Sequence, residues 1–549
     1  MVAQSRVHFA ATIRAGNMRF LLPILVFSIL VPTTLRPASA QVVFSVIFED
    51  ALVVDGTGAE PHRADVGIIG DEIRAIGELS QRPALRRIDA SDLVLTPGFM
   101  DIHSHAIGSG ADGSLAARPQ AENLIRQGVT AVWGGQDGSS PWPIGDALAY
   151  FDSHPASVNT GLFVGHGTIR GQVVGLDDKA PSPDQMNVMR EMVRRAMRDG
   201  AWGLSSGLEY TPGMFATTAE LAILAGETAP FGGLYISHVR DEGGGLMDSV
   251  NELIDIAREA GVAGQLTHHK IIGKHRWGGT AESLARVLEA REDGLDITLD
   301  VYPYTASSTG MTILFPAWSK DGGLGALQRR LKDPADRARI REDVIAHINS
   351  ERGGDPATIV AANCSFDASL AGKSLADMAG DRGLTPDVPN AADIAMELVG
   401  AGSCQGVFHS MSDDDVTRVM RSPHAMVASD GGVPALGSGA PHPRSYGTFA
   451  RVLARYVRDL EALTLAEGVH KITGAPAERL ALADRGRIAV GFKADVALFD
   501  LSSIQDVSTF GDPHRYATGM HYVMVNGVFV LEDGTMTGAR PGRSLRRTP

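Results

Sequence analysis

Apolar and polar positions along the chain fall into three regimes. Residues 42–54 and 66–77 alternate between the two, with β-branched side chains prominent and Gly56-Thr57-Gly58 supplying a turn, the pattern of short antiparallel strands. The same texture returns near the other end, in 486–491, 494–500 and 521–530. The middle is different. Short apolar runs at 128–133, 200–205, 234–237, 263–267 and 297–300 alternate with helical segments such as 247–260, whose Leu253, Ile254 and Ala257 share one face. Repeated β-α units at this spacing predict a parallel sheet, and their number predicts closure into a (β/α)₈ barrel, an α/β fold, over residues 97–483. The two strand-rich ends, 41–96 and 484–549, are expected to pack as one small β-sandwich beside it. Between 309 and 425 the rhythm breaks: helix-like pieces at 324–348 and 391–399 are too long for one crossover. They predict a helical insertion near the barrel mouth, where barrel enzymes place substrate-determining loops.

The first forty residues follow another logic. An apolar run at 20–31 is preceded by Met18-Arg19 and followed by Ala38-Ser39-Ala40, the charged, apolar and small-residue zones of a secretory signal. Residues 1–40 are therefore expected to be a signal peptide, with Met18 giving a tidier start than Met1. The run is short for a bilayer span, so a secreted or periplasmic protein with no stable membrane span after cleavage is expected. Net charge is −14, and −18 once the four arginines of this segment are set aside. No Lys/Arg-rich run interrupts the acidic background, which argues against nucleic acid as a partner. Cys364 and Cys404 are the only cysteines; they form no CxxC motif, and the sequence leaves open whether they pair. Any metal must rest mainly on histidine and carboxylate.

Such donors are present. His103 and His105 flank one residue, so on a strand both imidazoles face one side. Asp137, His238, His268 and Asp430 each fall at the C-terminal end of a predicted strand, and a parallel barrel gathers those ends at one mouth. His269 competes with His268, which is preferred; His166 also stands at a strand end, as a substrate contact or a structural histidine. His275, His409, His424, His442, His514 and His521 read as structural or loop residues. Nitrogen and carboxylate donors without thiolate suit Zn²⁺, as one or two ions, with Mn²⁺, Fe²⁺ or Co²⁺ as alternatives.

Together these motifs resemble the amidohydrolase superfamily, and within it the N-acyl-D-amino-acid deacylase (D-aminoacylase) family. General marks are Pro97-Gly-Phe-Met-Asp-Ile-His-Ser-His and Ser429-Asp-Gly-Gly. More specific ones are Gly165-His-Gly-Thr-Ile-Arg, Gly207-Leu-Glu-Tyr-Thr-Pro-Gly, Ser237-His-Val-Arg-Asp-Glu-Gly, Asp300-Val-Tyr-Pro-Tyr and His442-Pro-Arg-Ser-Tyr-Gly-Thr-Phe. The resemblance implies a barrel-plus-sandwich fold, zinc, and hydrolysis of N-acyl groups from D-amino acids, with a small N-acylated amino acid or short peptide as substrate. It implies that His103, His105, His238 and His268 hold metal and that Asp430 is the catalytic acid–base. Tyr210, Lys270, Tyr302, Ser308 (or Ser307) and Arg444 fall where the family contacts the acylated amino acid and its carboxylate. One position departs. The family carries a cysteine ligand in a Gly-Asn-Cys-Gly stretch, whereas this chain reads Gly135-Gln-Asp-Gly138, so Asp137 is expected to ligate instead and to favour a two-metal centre. Rival expectations are a dipeptidase-like or D-residue peptide deacylase and, from another class, a metal-containing binding protein without catalysis. Nothing in the sequence bears on oligomeric state.

Overall fold

Eight parallel strands in chain order form the barrel in the computed structural model, which describes residues 8–17, 43–108 and 114–548. Most of the expected signal segment lies outside the described residues; residues 8–17 are exposed and carry no helix or strand. The barrel strands are β1 (Phe99–Asp101), β2 (Val129–Gly134), β3 (Asn159–Leu162), β4 (Gly203–Gly207), β5 (Leu234–His238), β6 (Ala263–Leu266), β7 (Ile297–Val301) and β8 (Ala425–Val427). Beyond Phe163, β3 continues as Val164–Gly165, which pairs with β4. All of β2, β4 and β5 is buried, as a sheet covered on both faces requires. Closure comes from the residues just past β8. Ser429 N–H donates to Asp101 Oδ1 (2.8 Å), and Asp430 N–H donates to the His103 carbonyl (2.9 Å). The two general motifs of the sequence thus meet across the seam.

Helices clothe the barrel for ordinary reasons. Leu246–Ala260 buries Leu246, Val250, Leu253, Ile254 and Ala257 along one stripe. It ends where Gly261 turns left-handed at φ +66°, a conformation that costs glycine nothing. Between β7 and β8 stands the insertion, with a core of its own that includes Leu327, Ile340, Val344, Ile394, Leu398 and Phe408. Its helix Pro334–Glu351 starts on an Asp333 cap that accepts from Ala335 and Asp336 N–H. Besides the expected helices it holds a three-stranded antiparallel sheet of Ser307–Gly310, Cys404–Phe408 and Ile359–Cys364. Strands of four to six residues leave little periodic signal beside long helices. Cys364 and Cys404 face each other in register and are disulfide-bonded, which settles what the sequence left open.

The chain ends form one nine-stranded sheet, joined where Val94–Pro97 runs antiparallel to Val496–Phe499. Val46–Val53, which carries Phe48, and Val528–Glu532, which carries Phe529, are separated by three strands of this sheet. Flat, they would lie about 19 Å apart at ordinary strand spacing. Yet the Phe48 and Phe529 ring centroids are 6.3 Å apart, so the sheet folds over on itself and encloses Phe48, Val66, Leu498 and Met524. The expected two-ended sandwich is a single curled sheet.

Candidate metal centre

Four imidazoles and four carboxylates converge at the C-terminal ends of the barrel strands. His103 and His105 follow β1, Asp137 follows β2, Glu209 follows β4, His238 ends β5 and Glu242 follows it, His268 follows β6 and Asp430 follows β8. Their ligand atoms fall into overlapping groups: His103, His105, Asp137 and Asp430 form one; Asp137, His238 and His268 form another; Glu209, His238 and Glu242 form a third. Asp137 joins the first two with both oxygens. Its Oδ1 lies 3.5 Å from His103 Nε2 and 3.6 Å from His268 Nε2, and its Oδ2 lies 3.2 Å from His105 Nε2. Asp430 Oδ1 is 3.0 Å from His105 Nε2.

Local backbone holds these side chains in unusual conformations. Asp137, His268 and Asp430 have φ of +51°, +35° and +51°, a region that costs a non-glycine residue of order 1 kcal/mol or more. Neighbouring contacts fix each one. Gln136 donates to the Ile102 and Trp133 carbonyls, His268 N–H donates to Asp300 Oδ1 (2.7 Å), and Asp430 N–H donates to the His103 carbonyl just past β1. At Gly135 a Cβ would sit 2.1 Å from the Phe163 carbonyl oxygen, which explains the glycine in the Gly-Gln-Asp-Gly stretch.

The donors fit a cation. His103 is wholly buried, yet neither ring nitrogen has a hydrogen-bond partner, and Asp137 Oδ1 is likewise unsatisfied. Leaving such groups bare costs about 1–3 kcal/mol each. The field points the same way: burial disfavours a charged imidazole, but the carboxylates of Asp137, Asp300 and Asp430 hold His103 well above its ordinary range. Burial likewise opposes charge on Asp430, but Arg444 and the imidazoles hold its carboxyl well below the usual range. A zinc-type ion among these atoms would supply the positive charge that the carboxylates call for.

Two residues that sequence reasoning passed over orient the histidines. Glu209 Oε2 accepts from His238 Nε2 (2.8 Å), which turns His238 Nδ1 toward His268 Nε2 at 2.8 Å. Glu242 Oε1 is 3.0 Å from His268 Nδ1. Carboxylates in this relation fix the tautomer and raise the basicity of a metal-binding imidazole. Both stood inside the motifs Gly207-Leu-Glu-Tyr-Thr-Pro-Gly and Ser237-His-Val-Arg-Asp-Glu-Gly, two and four residues beyond a strand end, which is the signal that could have found them. Glu242→Gln is expected to weaken metal retention roughly 10- to 100-fold in a metal titration. Wild-type affinity there would mean that Glu242 serves only to balance Lys270.

The expected substrate residues surround the same pocket of about 900 Å³, with some roles changed. Arg444 Nη1 pairs with Asp430 Oδ2 at 2.7 Å, and its Nη2 donates to the Ser308 carbonyl, so Ser308 meets it through the backbone rather than its hydroxyl. Lys270 Nζ lies 2.5 Å from Glu242 Oε1 and 2.6 Å from His268 Nδ1; the expected point charge is also a partner of the histidine cluster. Tyr302 turns its hydroxyl to Met411 Sδ (3.8 Å) and offers its ring to Arg444 and Lys270, at 4.9 and 5.6 Å. Tyr210 OH sits 3.4 Å from His238 Nδ1 and accepts from Thr309 Oγ1 (3.1 Å). His166 pairs with Glu220 and His269 with Ser283, both apart from the cluster.

The profile of the Amidohydrolase family matches residues 86–311 and 367–531. The N-acyl-D-glutamate deacylase of Alcaligenes xylosoxydans xylosoxydans is 35% identical over 523 residues, 91% of this chain and 96% of that protein. The chain belongs to the amidohydrolase family, in its N-acyl-D-amino-acid deacylase branch. This amidohydrolase also superposes on a D-aminoacylase studied for its binuclear metal centre, with one-metal activation and second-metal attenuation (TM-score 0.78, 32% identity, 92% of this chain and 100% of that one). The N-acyl-D-glutamate deacylase of Bordetella bronchiseptica, complexed with zinc and a phosphonate mimic of the tetrahedral intermediate, matches equally (TM-score 0.78, 30% identity, 92% and 99%). The amidohydrolase is thus a metal-dependent hydrolase.

Proposed function

We propose that this amidohydrolase cleaves the amide bond of N-acyl-D-amino acids, releasing a carboxylate and the free D-amino acid. The observation that carries the reading is the position of Asp430, between the His103/His105 pair and the Arg444 guanidinium at the floor of the pocket. When bound, the metal supplies Lewis acidity toward the acyl oxygen and a water that ionises near neutral pH. Asp430 accepts the proton of the attacking water through the oxygen facing the histidines and returns it to the amine as the C–N bond breaks. Burial, with the nearby carboxylates of Asp137 and Glu209, pushes the Tyr210 phenol well above its ordinary range, so it stays an O–H donor for the developing oxyanion. Arg444 and Lys270 supply cations for the α-carboxylate. Holding carboxylate and scissile carbonyl together leaves the α-substituent one direction, which reads configuration.

The apolar run at 20–31 with its Ala-Ser-Ala end supports work outside the cytoplasm, and the Cys364–Cys404 disulfide supports an oxidising compartment. The test is a panel of N-acetyl-D-, N-acetyl-L- and dipeptide substrates with chiral analysis of the released amine. Turnover confined to N-acyl-D compounds is expected. Equal rates on L compounds, or activity on dipeptides alone, would replace this reading with the dipeptidase one.

A further inference from the structure

One buried cation of the pocket is unaccounted for. Arg352, just past the insertion helix Pro334–Glu351, lines the pocket yet is only 4% exposed. Its Nη1 donates to Ser410 Oγ at 3.3 Å, its guanidinium lies 4.8 Å over the Phe408 ring, and its Nε has no partner. Among the described residues no carboxylate lies within ion-pair distance of it. The acids nearby are committed elsewhere: Glu209 to His238, Glu242 to Lys270 and His268, and Glu351 to Arg276 at 2.8 Å. Lys320, which is 9% exposed, has no ion-pair partner among the described residues either, and burial together with Arg352 and Lys320 holds the His347 imidazole uncharged, down to about 3. Burial pulls the Lys320 amine down to about 8, more than the carboxylate of Glu209 can offset. Buried charge without a counter-ion is costly, and proteins keep it chiefly where a ligand completes the pair. The pocket already has Arg444 and Lys270 for one carboxylate; Arg352 is placed for another.

We propose that Arg352 receives a second carboxylate of the substrate, beyond the α-carboxylate, with Lys320 reinforcing its field. This rests on the deacylase reading. The second carboxylate belongs either to an acidic side chain, as in N-acetyl-D-glutamate, or to the acyl group, as in N-succinyl-D-leucine. A guanidinium distinguishes either from a counterpart that lacks this carboxylate by charge-assisted hydrogen bonds, roughly 10- to 100-fold in kcat/KM.

Two ratios test it on the metal-loaded enzyme: N-acetyl-D-glutamate over N-acetyl-D-glutamine, and N-succinyl-D-leucine over N-acetyl-D-leucine. At least one ratio is expected to exceed ten in the wild type, to fall to near one in Arg352→Gln, and to stay intermediate in Arg352→Lys. The first ratio responding assigns the side chain, the second the acyl arm. Because each readout is a ratio within one enzyme, a general loss of activity cancels. Should Arg352→Gln give no soluble protein, a severalfold fall of the ratio in Arg352→Lys carries the test. Wild-type ratios near one for both pairs, or a ratio preserved in Arg352→Gln, would overturn the proposal while leaving the deacylase reading intact if N-acetyl-D-leucine is turned over. Failure to turn over any of the four would overturn both.

Discussion

Asp430→Asn is expected to lower kcat by roughly 10²–10⁴-fold while bound metal stays near the wild-type level. Asparagine matches aspartate in shape and tolerates the left-handed backbone at φ +51°, so the turn after β8 survives. His103, His105 and Asp137 remain to hold the ion on that side. An amide cannot accept the proton of water or return it to an amine, and protonating that amine is what lets it leave. Arg444 loses the charge of its 2.7 Å partner but keeps the Ser308 carbonyl. Steady-state kinetics beside elemental metal quantification separates the two effects: lost turnover with metal retained identifies proton transfer. A variant with near-normal kcat would remove Asp430 from the chemistry, and one stripped of metal would make it a ligand first.

The barrel was readable because its strands are short and buried, and because five of them carry a metal or acid candidate at or just past one end. His238 is the last residue of β5, and Asp430 lies three past β8. Convergence at a mouth then follows from topology alone. What escaped depends on how loops turn. Lys270 falls where the family contacts the substrate, but the loop folds its ammonium onto Glu242. Thr309 reaches Tyr210 only because the insertion's sheet runs past the mouth, and Arg352 reaches the pocket only because a helix ends there. Such pairings join residues far apart in the chain, and no local periodicity encodes them. The terminal strands show the same limit: alternation revealed each one, while the curl that brings Phe48 to Phe529 is set by non-local pairing.

Asp137 is where this chain departs from the family it resembles, and its replacement is the sharpest probe of the metal centre. One oxygen faces His103 and His268 and the other faces His105, so removing the carboxylate takes a donor from both groups at once. Asp137→Ala is expected to lower bound metal by at least one equivalent per chain and to reduce kcat/KM by about 10²-fold or more, since a metal ligand and its orientation are both lost. Alanine also strains at φ +51°, by roughly 1–2 kcal/mol. Asp137→Gly relieves that strain and should lose metal to the same extent, which separates the missing donor from the backbone. Asp137→Cys restores a ligand of the softer kind, and competition between Zn²⁺ and Mn²⁺ should then shift toward zinc, because thiolate favours the softer ion and carboxylate tolerates the harder one. Full metal occupancy with unchanged activity in both Asp137→Ala and Asp137→Gly would reduce Asp137 to a bystander and leave His238 and His268 without a shared acid.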